Sequence, residues 1–341
     1  MSVLHLLGTS GDGGAETYFI DLIGALNEDG LAQGAALRAH AGREAALRAM
    51  GVPTRVLPFG AALDFTTKAS VAEMAREMDV GALVAWMSRA GAHAPRGPWT
   101  RIGRLGGYYD PKYFRGFDIM VANTREIVDW AVGQGWSRQQ TFWIPNFAKA
   151  APGEPLPRTS FDTPAGVPLL LGMGRLHSDK AHDISLRALA QIPDAHLWIA
   201  GSGPIEAELK ALARDLGVEG RVRFLGWRND APSLYRTADV CVFPSRIEPL
   251  GNVVLQAWAY HIPVIAGASK GPAALIKDAE DGLLVPLEDA NALAAAIRSL
   301  LADPSLGRTL AAGGAARLAN EFSPAAVTAQ WRELFARLGA A

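Results

Sequence analysis

The sequence predicts an α/β protein built from two doubly wound parallel sheets that face a cleft. The chain has 341 residues, more than one hydrophobic core usually organises, so two domains of about 150 residues each are expected. Short apolar runs alternate with helical patterns on both sides of a proline-rich stretch, as in strands joined by crossover helices. The first apolar run leads through a glycine-rich loop into a helix, which is the opening unit of a Rossmann-like domain.

The first half of the chain alternates regularly between strand and helix patterns. Val3–Leu7 is a short apolar run, a glycine-rich loop begins at Gly8, and a helical pattern then continues to Leu26. The next predicted elements are a helix at 69–78, strands at 82–87 and 118–122, and a helix at 124–134. We therefore expect an N-terminal Rossmann-like domain over residues 1–150.

The second half repeats this alternation after a predicted linker. Six prolines lie from Pro145 to Pro168 among small and polar residues, a composition typical of a linker. The predicted strands are 168–173, 195–200, 221–225, 239–243 and 262–266, with helices at 181–190, 204–215, 231–236 and 251–259. They predict a second Rossmann-like domain over 151–322. Residues 323–341 contain an amphipathic helical pattern that we expect to pack back on the body.

Cysteine content and the first residues bear on the compartment. Cys241 is the only cysteine and lies in an apolar run, which excludes a disulfide and a cysteine-based metal site. The N-terminus lacks a basic region, and no apolar run approaches the roughly 18 residues of a membrane span. We expect a cytoplasmic protein, with peripheral contact at the cytoplasmic face of the inner membrane left open.

Positive charge is concentrated in one segment. Residues 89–125 carry seven Arg or Lys residues against two Asp residues, whereas the whole chain has a net charge of −1. This basic segment is either a solvated face or a surface for an anionic partner, and the sequence favours neither. It is too short a signal for nucleic acid, and we expect no nucleic-acid partner.

The most informative motif joins the predicted strand 168–173 to two cations. A turn at Gly174 is followed by Arg175 and, five residues later, by Lys180. Ligands bind at the carboxyl ends of strands in doubly wound sheets, and two cations there can hold both phosphates of a diphosphate. Two exposed loop cations without a function remain the alternative.

A second motif follows the predicted strand 239–243. The loop after this strand carries Glu248, and a helix begins near its end, so free backbone amides can bind a phosphate or sugar oxygen. These amides belong to Leu250, Gly251 and Asn252. Glu248 can accept hydrogen bonds from sugar hydroxyls, and Gln256, about two turns along the helix, lies within reach of a ribose.

Taken together, the motifs resemble those of the retaining glycosyltransferases of family 4, which have the GT-B fold. The resemblance covers nearly the whole chain, and the order and spacing of the motifs agree. The matching segments are Gly13-Gly14-Ala15-Glu16, Gly174-Arg175 with Lys180, Gly201-Ser202-Gly203-Pro204, Phe224-Leu225-Gly226-Trp227, and Glu248 with Gln256. The resemblance implies a GT-B enzyme whose N-terminal domain binds the acceptor and whose C-terminal domain binds a nucleotide-sugar donor.

The resemblance also implies residue roles. Arg175 and Lys180 would stabilise the charge on the leaving nucleoside diphosphate in place of a metal. Glu248 would contact the donor sugar, Trp227 would lie where the nucleotide base docks, and Gly14 would approach the phosphates or the acceptor when the domains close. We expect a UDP- or GDP-sugar as co-substrate, no cofactor and no metal.

The chain departs from the family pattern at two places. Gln256 stands where the family has a second glutamate, which predicts looser nucleotide binding and leaves a nucleotide-sugar binding protein without transfer activity as an alternative. Arg104 and the residues after it occupy the place of a histidine that many relatives carry. A nicotinamide dehydrogenase is the weaker third reading, because Gly34 stands where an acidic residue would hold the ribose.

The predicted acceptor contacts lie in or next to the basic segment. They are His93, Arg104, Tyr108 and Tyr109. Their position in the N-terminal half favours an anionic glycan or glycolipid acceptor, because that half binds the acceptor in this fold. The stretch Arg104-Leu105-Gly106-Gly107-Tyr108-Tyr109-Asp110 resembles bacterial envelope glycosyltransferases, which makes lipopolysaccharide core the favoured acceptor, with glycolipid or capsule acceptors as the alternatives.

Overall fold

The computed structural model describes residues 2–11, 13–60, 64 and 66–339. The chain forms two compact units. Unit 1 comprises Met1–Asn146 and Pro324–Ala341, and unit 2 comprises Phe147–Ser323. The first boundary between the units therefore follows Asn146, and the C-terminal segment belongs to the first unit.

Each unit contains one fully parallel sheet. In unit 1 the strands are β1 (Ser2–Leu7), β2 (Gln33–Leu37), β3 (Thr54–Val56), β4 (Val80–Trp86), β5 (Thr100–Leu105), β6 (Ile119–Ala122) and β7 (Thr141–Trp143). In unit 2 they are β8 (Leu169–Met173), β9 (His196–Ala200), β10 (Val222–Gly226), β11 (Val240–Phe243), β12 (Val264–Gly267) and β13 (Leu283–Val285). Neighbouring strands pair in parallel in both sheets.

Helices connect the strands and cover both faces of each sheet, as a doubly wound arrangement requires. The first seven are α1 (Gly14–Glu28), α2 (Ala41–Ala49), α3 (Thr66–Glu77), α4 (Met87–His93), α5 (Arg125–Gly133), α6 (His182–Leu189) and α7 (Glu206–Asp215). The others are α8 (Ala231–Thr237), α9 (Asn252–Ala259), α10 (Lys270–Leu275), α11 (Ala290–Ala302), α12 (Pro304–Arg317) and α13 (Pro324–Gly339). Over the described part of the chain, no helix has both the length and the apolar character that crossing a bilayer needs.

Strand order determines where each unit can bind a ligand. The order is β3-β2-β1-β4-β5-β6-β7 in unit 1 and β10-β9-β8-β11-β12-β13 in unit 2. The direction of winding reverses between β1 and β4 in the first sheet and between β8 and β11 in the second. At such a reversal the loops after the two strands diverge and leave a crevice at the carboxyl edge, which is the ligand site of doubly wound folds.

Buried aliphatic side chains explain why the strand sequences of unit 2 form a sheet that is covered on both faces. Leu169, Leu170 and Leu171 of β8 are buried, as are Leu197 and Ile199 of β9. Strands covered by helices on both faces need apolar side chains on both faces, so these sequences read as continuous apolar runs. The predicted strands of this half therefore agree closely with the observed ones.

The proline-rich stretch is anchored and does not act as a free spacer. It contains a short 3-10 helix at Arg158–Phe161, and the Arg158 guanidinium donates to the Val167 carbonyl at 2.6 Å and forms an ion pair with Asp239 at 2.8 Å. The Trp198 indole N–H donates to Thr163 Oγ1 at 2.9 Å. The prediction of a linker is therefore wrong for most of this stretch, because its polar groups find partners on unit 2.

The C-terminal helix α13 returns to unit 1. Its apolar side buries Val327, Trp331, Leu334 and Phe335, the side that the sequence pattern indicates. Arg332 on the other side donates to the Asp29 carbonyl at 2.6 Å, just after α1. The chain therefore crosses between the units twice, near residue 146 and near residue 323.

Candidate functional site

The candidate site lies at the carboxyl edge of the unit 2 sheet, between β8 and β11. The turn after β8 has Gly174 at φ +141°, and the turn after β9 has Gly201 at φ +149°, conformations that side chains rarely adopt. A Cβ on Gly201 would lie 1.9 Å from the Gly174 carbonyl oxygen, so the two turns pack backbone against backbone. The predicted glycines are therefore explained by close approach and by positive φ.

Lys180 and Glu248, which the sequence places in separate motifs, are in direct contact. The Lys180 ammonium donates to Glu248 Oε2, and the backbone N–H of Gly251 donates to Glu248 Oε1 at 3.2 Å. The two side chains are 25% and 14% exposed, so the pair is largely shielded but reachable from solvent. The sequence predicts that the Lys180 ammonium and the Gly251 N–H bind an anionic ligand. In the structure both groups bind the Glu248 carboxylate instead.

The start of α9 is held rigidly by its neighbours. Gly251 has φ +96° and precedes Asn252, the first residue of the helix, while Leu250 is buried. The Gly271 N–H donates to the Glu248 carbonyl at 2.8 Å, and a Cβ on Gly271 would lie 2.6 Å from that oxygen. The predicted amides at 250–252 therefore belong to a loop whose backbone position is fixed by α10.

Arg246 joins the two loops of the site, and sequence reasoning missed it. Its guanidinium donates to both Asp183 carboxylate oxygens at 2.8 and 2.7 Å and to the Ser178 carbonyl at 2.7 Å. It also pairs with Glu288, and these hydrogen bonds hold the pKa of Arg246 well above its usual range. The opposite charges of Arg246 and Asp183, close to Glu248 and Lys180 in sequence, were the available signal.

The chain turns sharply between Lys180 and α6. Ala181 is buried and has φ +53°, a conformation that costs free energy for a residue with a Cβ and that is frequent at functional sites. His182, the next residue, is buried, and burial lowers its pKa to about 4, so the imidazole is neutral at neutral pH. Within the described ranges no three His, Cys, Asp or Glu side chains are grouped so that they could hold a metal ion.

Arg175 has a different environment from Lys180. Its side chain is exposed on the turn after β8, and it forms no ion pair with the described residues. Both cations predicted for the diphosphate are thus at the carboxyl edge of one strand, but only Lys180 is paired. An anion at this edge would meet an unpaired guanidinium together with an ammonium already shared with a carboxylate.

Gln256 is fixed by a buried tyrosine. The phenol O–H of Tyr235 and Gln256 Oε1 are 3.0 Å apart, and Tyr235 stacks on Tyr260 with ring centroids 5.2 Å apart. Burial raises the pKa of the Tyr235 phenol well above its usual range, so it stays protonated and donates. The amide oxygen of Gln256 therefore accepts a hydrogen bond from Tyr235, and the two N–H donors of the same amide are the groups that could bind a ligand.

Trp227 follows β10 at the same edge of the sheet. It is 62% exposed, and its indole N–H donates to Asn229 Oδ1 at 3.1 Å. An indole held by a neighbouring side chain and exposed on one face can stack on a flat ligand. Its predicted contact with a nucleotide base stays a prediction.

Two of the predicted acceptor contacts lie in the interior of unit 1. Arg104 is 2% exposed, donates to Asn146 Oδ1 at 2.8 Å, and burial lowers its pKa. His93 is the buried last residue of α4, with Nδ1 2.9 Å from the Arg89 carbonyl. We correct these two expectations, because side chains enclosed by their own unit stabilise that unit and present little surface to a glycan.

The two tyrosines after β5 have different environments. Tyr108 is 43% exposed and meets the Trp130 ring edge-on, with centroids 5.6 Å apart. Tyr109 stacks on Phe114 at 6.3 Å, and burial raises the pKa of its phenol. Tyr108 is therefore the more accessible of the two for a ligand at this edge.

The basic segment is less of a charged surface than the sequence suggests. Arg101 and Arg104 are buried, and Lys112 pairs with Asp110 at 2.6 Å. Three of the seven cations are thus enclosed or paired with a neighbouring carboxylate, and the other four, which are exposed, are Arg89, Arg96, Arg115 and Arg125.

The glycine loop after β1 is shaped by an arginine that sequence reasoning missed. Arg43 of α2 is buried and donates to the Thr9 carbonyl at 2.9 Å and to the Gly11 carbonyl. Gly14 is the first residue of α1, at the end of this loop. Asp12, also in the predicted loop, lies outside the described residues.

The chain is similar to known glycosyltransferases. Residues 167–303 match the family described as glycosyl transferases group 1. The lipopolysaccharide core biosynthesis glycosyltransferase LpsE of Rhizobium meliloti (strain 1021) is 37% identical over 339 residues, covering 95% of this chain and 96% of the relative. LpsD of the same organism, described in the same words, is 34% identical over 341 residues, covering 99% and 98%.

Solved structures show the same fold. Anabaena Alr3699/HepE in complex with UDP-glucose has a TM-score of 0.85 at 22% identity, covering 99% of this chain and all of the other. With the two parallel sheets and their strand orders, this likeness shows that the fold is GT-B. The predicted fold class is confirmed.

Proposed function

This chain belongs to the group 1 glycosyltransferases, and from that membership we propose that it transfers a sugar from a nucleotide-sugar to the core region of a lipopolysaccharide. The observation that carries the proposal is the likeness to two core biosynthesis enzymes along almost the whole of both chains. The grouping of Lys180, Glu248 and the first amides of α9 at one sheet edge supports a donor site in unit 2.

The proposed donor is a UDP- or GDP-sugar. The UDP-glucose complex of the Anabaena protein, which has the same fold, supports a nucleotide-sugar as the donor. Arg175 and Lys180 bind the diphosphate, Glu248 contacts the donor sugar, and Gln256 contacts the ribose through its amide N–H donors. Trp227 stacks on the base. No resident cofactor takes part in this proposal.

The proposed reaction retains the anomeric configuration. The bond between the anomeric carbon and the diphosphate oxygen breaks, and an acceptor hydroxyl oxygen bonds to the same face of that carbon. The hydroxyl proton passes to the leaving diphosphate oxygen, so charge and atoms balance. Arg175 and Lys180 stabilise the negative charge that grows on the diphosphate, which is the role that a metal ion has in other transferases.

The ion pair of Lys180 must rearrange when donor binds. In the structure the Lys180 ammonium lies against the Glu248 carboxylate, and the Gly251 N–H points to the same carboxylate. A diphosphate with the same preference for cations and amide N–H groups competes with Glu248 for both. We propose that donor binding releases Glu248 from Lys180 and leaves it free to accept a hydrogen bond from the sugar.

A transfer assay tests the proposed function. Purified protein is incubated with UDP- and GDP-sugars and with lipopolysaccharide truncated in its core, and products are followed by mass spectrometry. We expect the acceptor to gain one sugar, and NMR of the product to show the anomeric configuration of the donor. Saturable donor binding without any gain in acceptor mass would instead support a binding protein, and an inverted product would contradict the same-face mechanism.

A further inference from the structure

Arg89 lies at the reversal point of the unit 1 sheet, a position equivalent to that of the donor site in unit 2. It belongs to α4, which follows β4, and β4 lies beside β1 in the sheet. Gly8 follows β1, and a Cβ on Gly8 would lie 2.9 Å from Arg89 Cγ. The arginine stem therefore lies across the glycine loop at the carboxyl edge, in the crevice where doubly wound sheets bind ligands.

Most N–H donors of the Arg89 guanidinium form no hydrogen bond with the described residues. The contact that fixes it is one hydrogen bond from Nη1 to the Phe59 carbonyl at 3.3 Å, and the side chain is exposed. Among the residues that the structure describes, it forms no ion pair. A planar guanidinium carries five N–H donors in a fork that matches a carboxylate or a phosphate, so most of this capacity is unused.

Nearby charged groups do not supply the missing partner. Asp64 accepts from the Gly60 N–H at 2.8 Å and from the Thr67 hydroxyl at 2.5 Å, and it lies 3.8 Å from His93 Nε2. Arg43 is engaged with the carbonyls of the glycine loop. Arg89 is thus a cation at the carboxyl edge of the unit 1 sheet, and neither Asp64 nor Arg43 supplies a negative charge that pairs with it.

The backbone around Arg89 is strained. Phe59, whose carbonyl accepts from Arg89, has φ +42°, and Met87, which precedes Arg89 by two residues, has φ +64°. Residues with a Cβ adopt this region at a cost of about 1–3 kcal/mol each, and such residues cluster at sites that bind ligands. Two of them frame the arginine.

We propose that Arg89 binds an anionic group, a carboxylate or a phosphate, on the acceptor glycan. This inference rests on the proposed function, since it gives the acceptor its place in unit 1 and its charge. Gly8 makes room for the arginine stem, Phe59 orients the guanidinium, and the open donors of the fork bind the two oxygens of the anion. Arg89 then replaces the enclosed Arg104 as the acceptor contact of the basic segment.

The test compares Arg89→Met and Arg89→Lys with Arg48→Met. Arg48 is an exposed arginine in the last turn of α2, and because α2 runs from the end of β2 to the start of β3, it lies at the opposite edge of the sheet. The acceptor probes are a core-truncated lipopolysaccharide oligosaccharide and the same oligosaccharide after phosphatase treatment and carboxyl reduction.

We expect Arg89→Met to raise KM for the charged oligosaccharide about tenfold or more, with UDP affinity unchanged. Arg89→Lys keeps the charge without the fork and should give an intermediate KM. Arg48→Met should match the wild type, and the neutralised oligosaccharide should show the same KM with wild type and Arg89→Met. Melting temperatures of all three variants confirm folding, and the lysine variant alone carries the test if the methionine variant is unfolded.

Three results would overturn the inference. One is an unchanged KM for the charged oligosaccharide in both Arg89 variants. Another is a loss of UDP affinity in place of acceptor affinity, which would assign Arg89 to the donor phosphates. The third is a wild type that binds UDP yet transfers to neither oligosaccharide, which overturns the proposed function and this inference with it. Wild-type transfer with unchanged Arg89 variants overturns the inference alone.

Discussion

Replacing Lys180 with alanine is expected to lower turnover by about a hundredfold to a thousandfold, the loss typical when one charge-stabilising donor is removed from an active site. The Lys180 ammonium lies at the carboxyl edge of β8 and is largely shielded from solvent, so its charge acts in a medium of low effective dielectric. The negative charge that grows on the leaving diphosphate would lose the better shielded of the two cations at this edge.

A matched variant tests whether the fall in turnover is specific to Lys180 or follows from the loss of a lysine–glutamate ion pair elsewhere in unit 2. Lys210→Ala removes an exposed pair with Glu206 on α7, where the two side chains are 2.6 Å apart. Exposed pairs of this kind contribute little to stability, so Lys210→Ala should keep wild-type turnover and melting temperature. Initial rates of UDP or GDP release at saturating donor and acceptor check both variants. Turnover of Lys180→Ala within threefold of wild type would contradict the assigned role.

Replacing Glu248 with glutamine is expected to lower turnover by about a hundredfold while UDP binds several times more tightly than to the wild type. The two effects have opposite signs because the Glu248 carboxylate has two partners that a diphosphate also needs, the Lys180 ammonium and the Gly251 N–H. The neutral amide competes less for both groups, but it cannot accept from a sugar hydroxyl as strongly as a carboxylate does.

Two measurements on one preparation check this expectation. Calorimetry gives the Kd of UDP, which has no sugar for Glu248 to contact, and a transfer assay gives kcat. The Glu288→Gln variant is the control, since Glu288 pairs with Arg246, whereas Lys180 pairs with Glu248. Weaker UDP binding in Glu248→Gln would show that the carboxylate supports the diphosphate and does not compete with it.

Most of unit 2 could be predicted from the sequence because its signals are local. A short, mostly apolar run such as that ending at Ala200 is typical of a strand in a sheet covered on both faces, and the predicted strand 195–200 differs from β9 by one residue. Gly174 and Gly201 mark turns because their backbone conformations are closed to other residues. Local chemistry therefore indicated the edge where Lys180 and Glu248 meet.

Other features depend on tertiary contacts that no local pattern reports. Arg104 reads as a surface cation in a basic segment, but Asn146 and the rings around it enclose its guanidinium. Arg158 anchors a stretch whose prolines suggest a free linker, and its partner Asp239 is 81 residues away. From the sequence, Arg246 is one more cation in a loop. In the structure the packing of two loops brings Asp183 beside it. In each case a distant partner decides the role.

The carboxyl edge of unit 2, between β8 and β11, is the proposed binding site for the diphosphate of a nucleotide-sugar. Calorimetric titration of UDP-, GDP- and ADP-sugars into the wild type and Arg175→Ala tests it most directly, because Arg175 is exposed and its loss should not disturb the fold. We expect saturable binding of at least one nucleotide-sugar, weakened about tenfold in Arg175→Ala. Equal affinity in the two proteins, or no binding of any nucleotide-sugar, would contradict it.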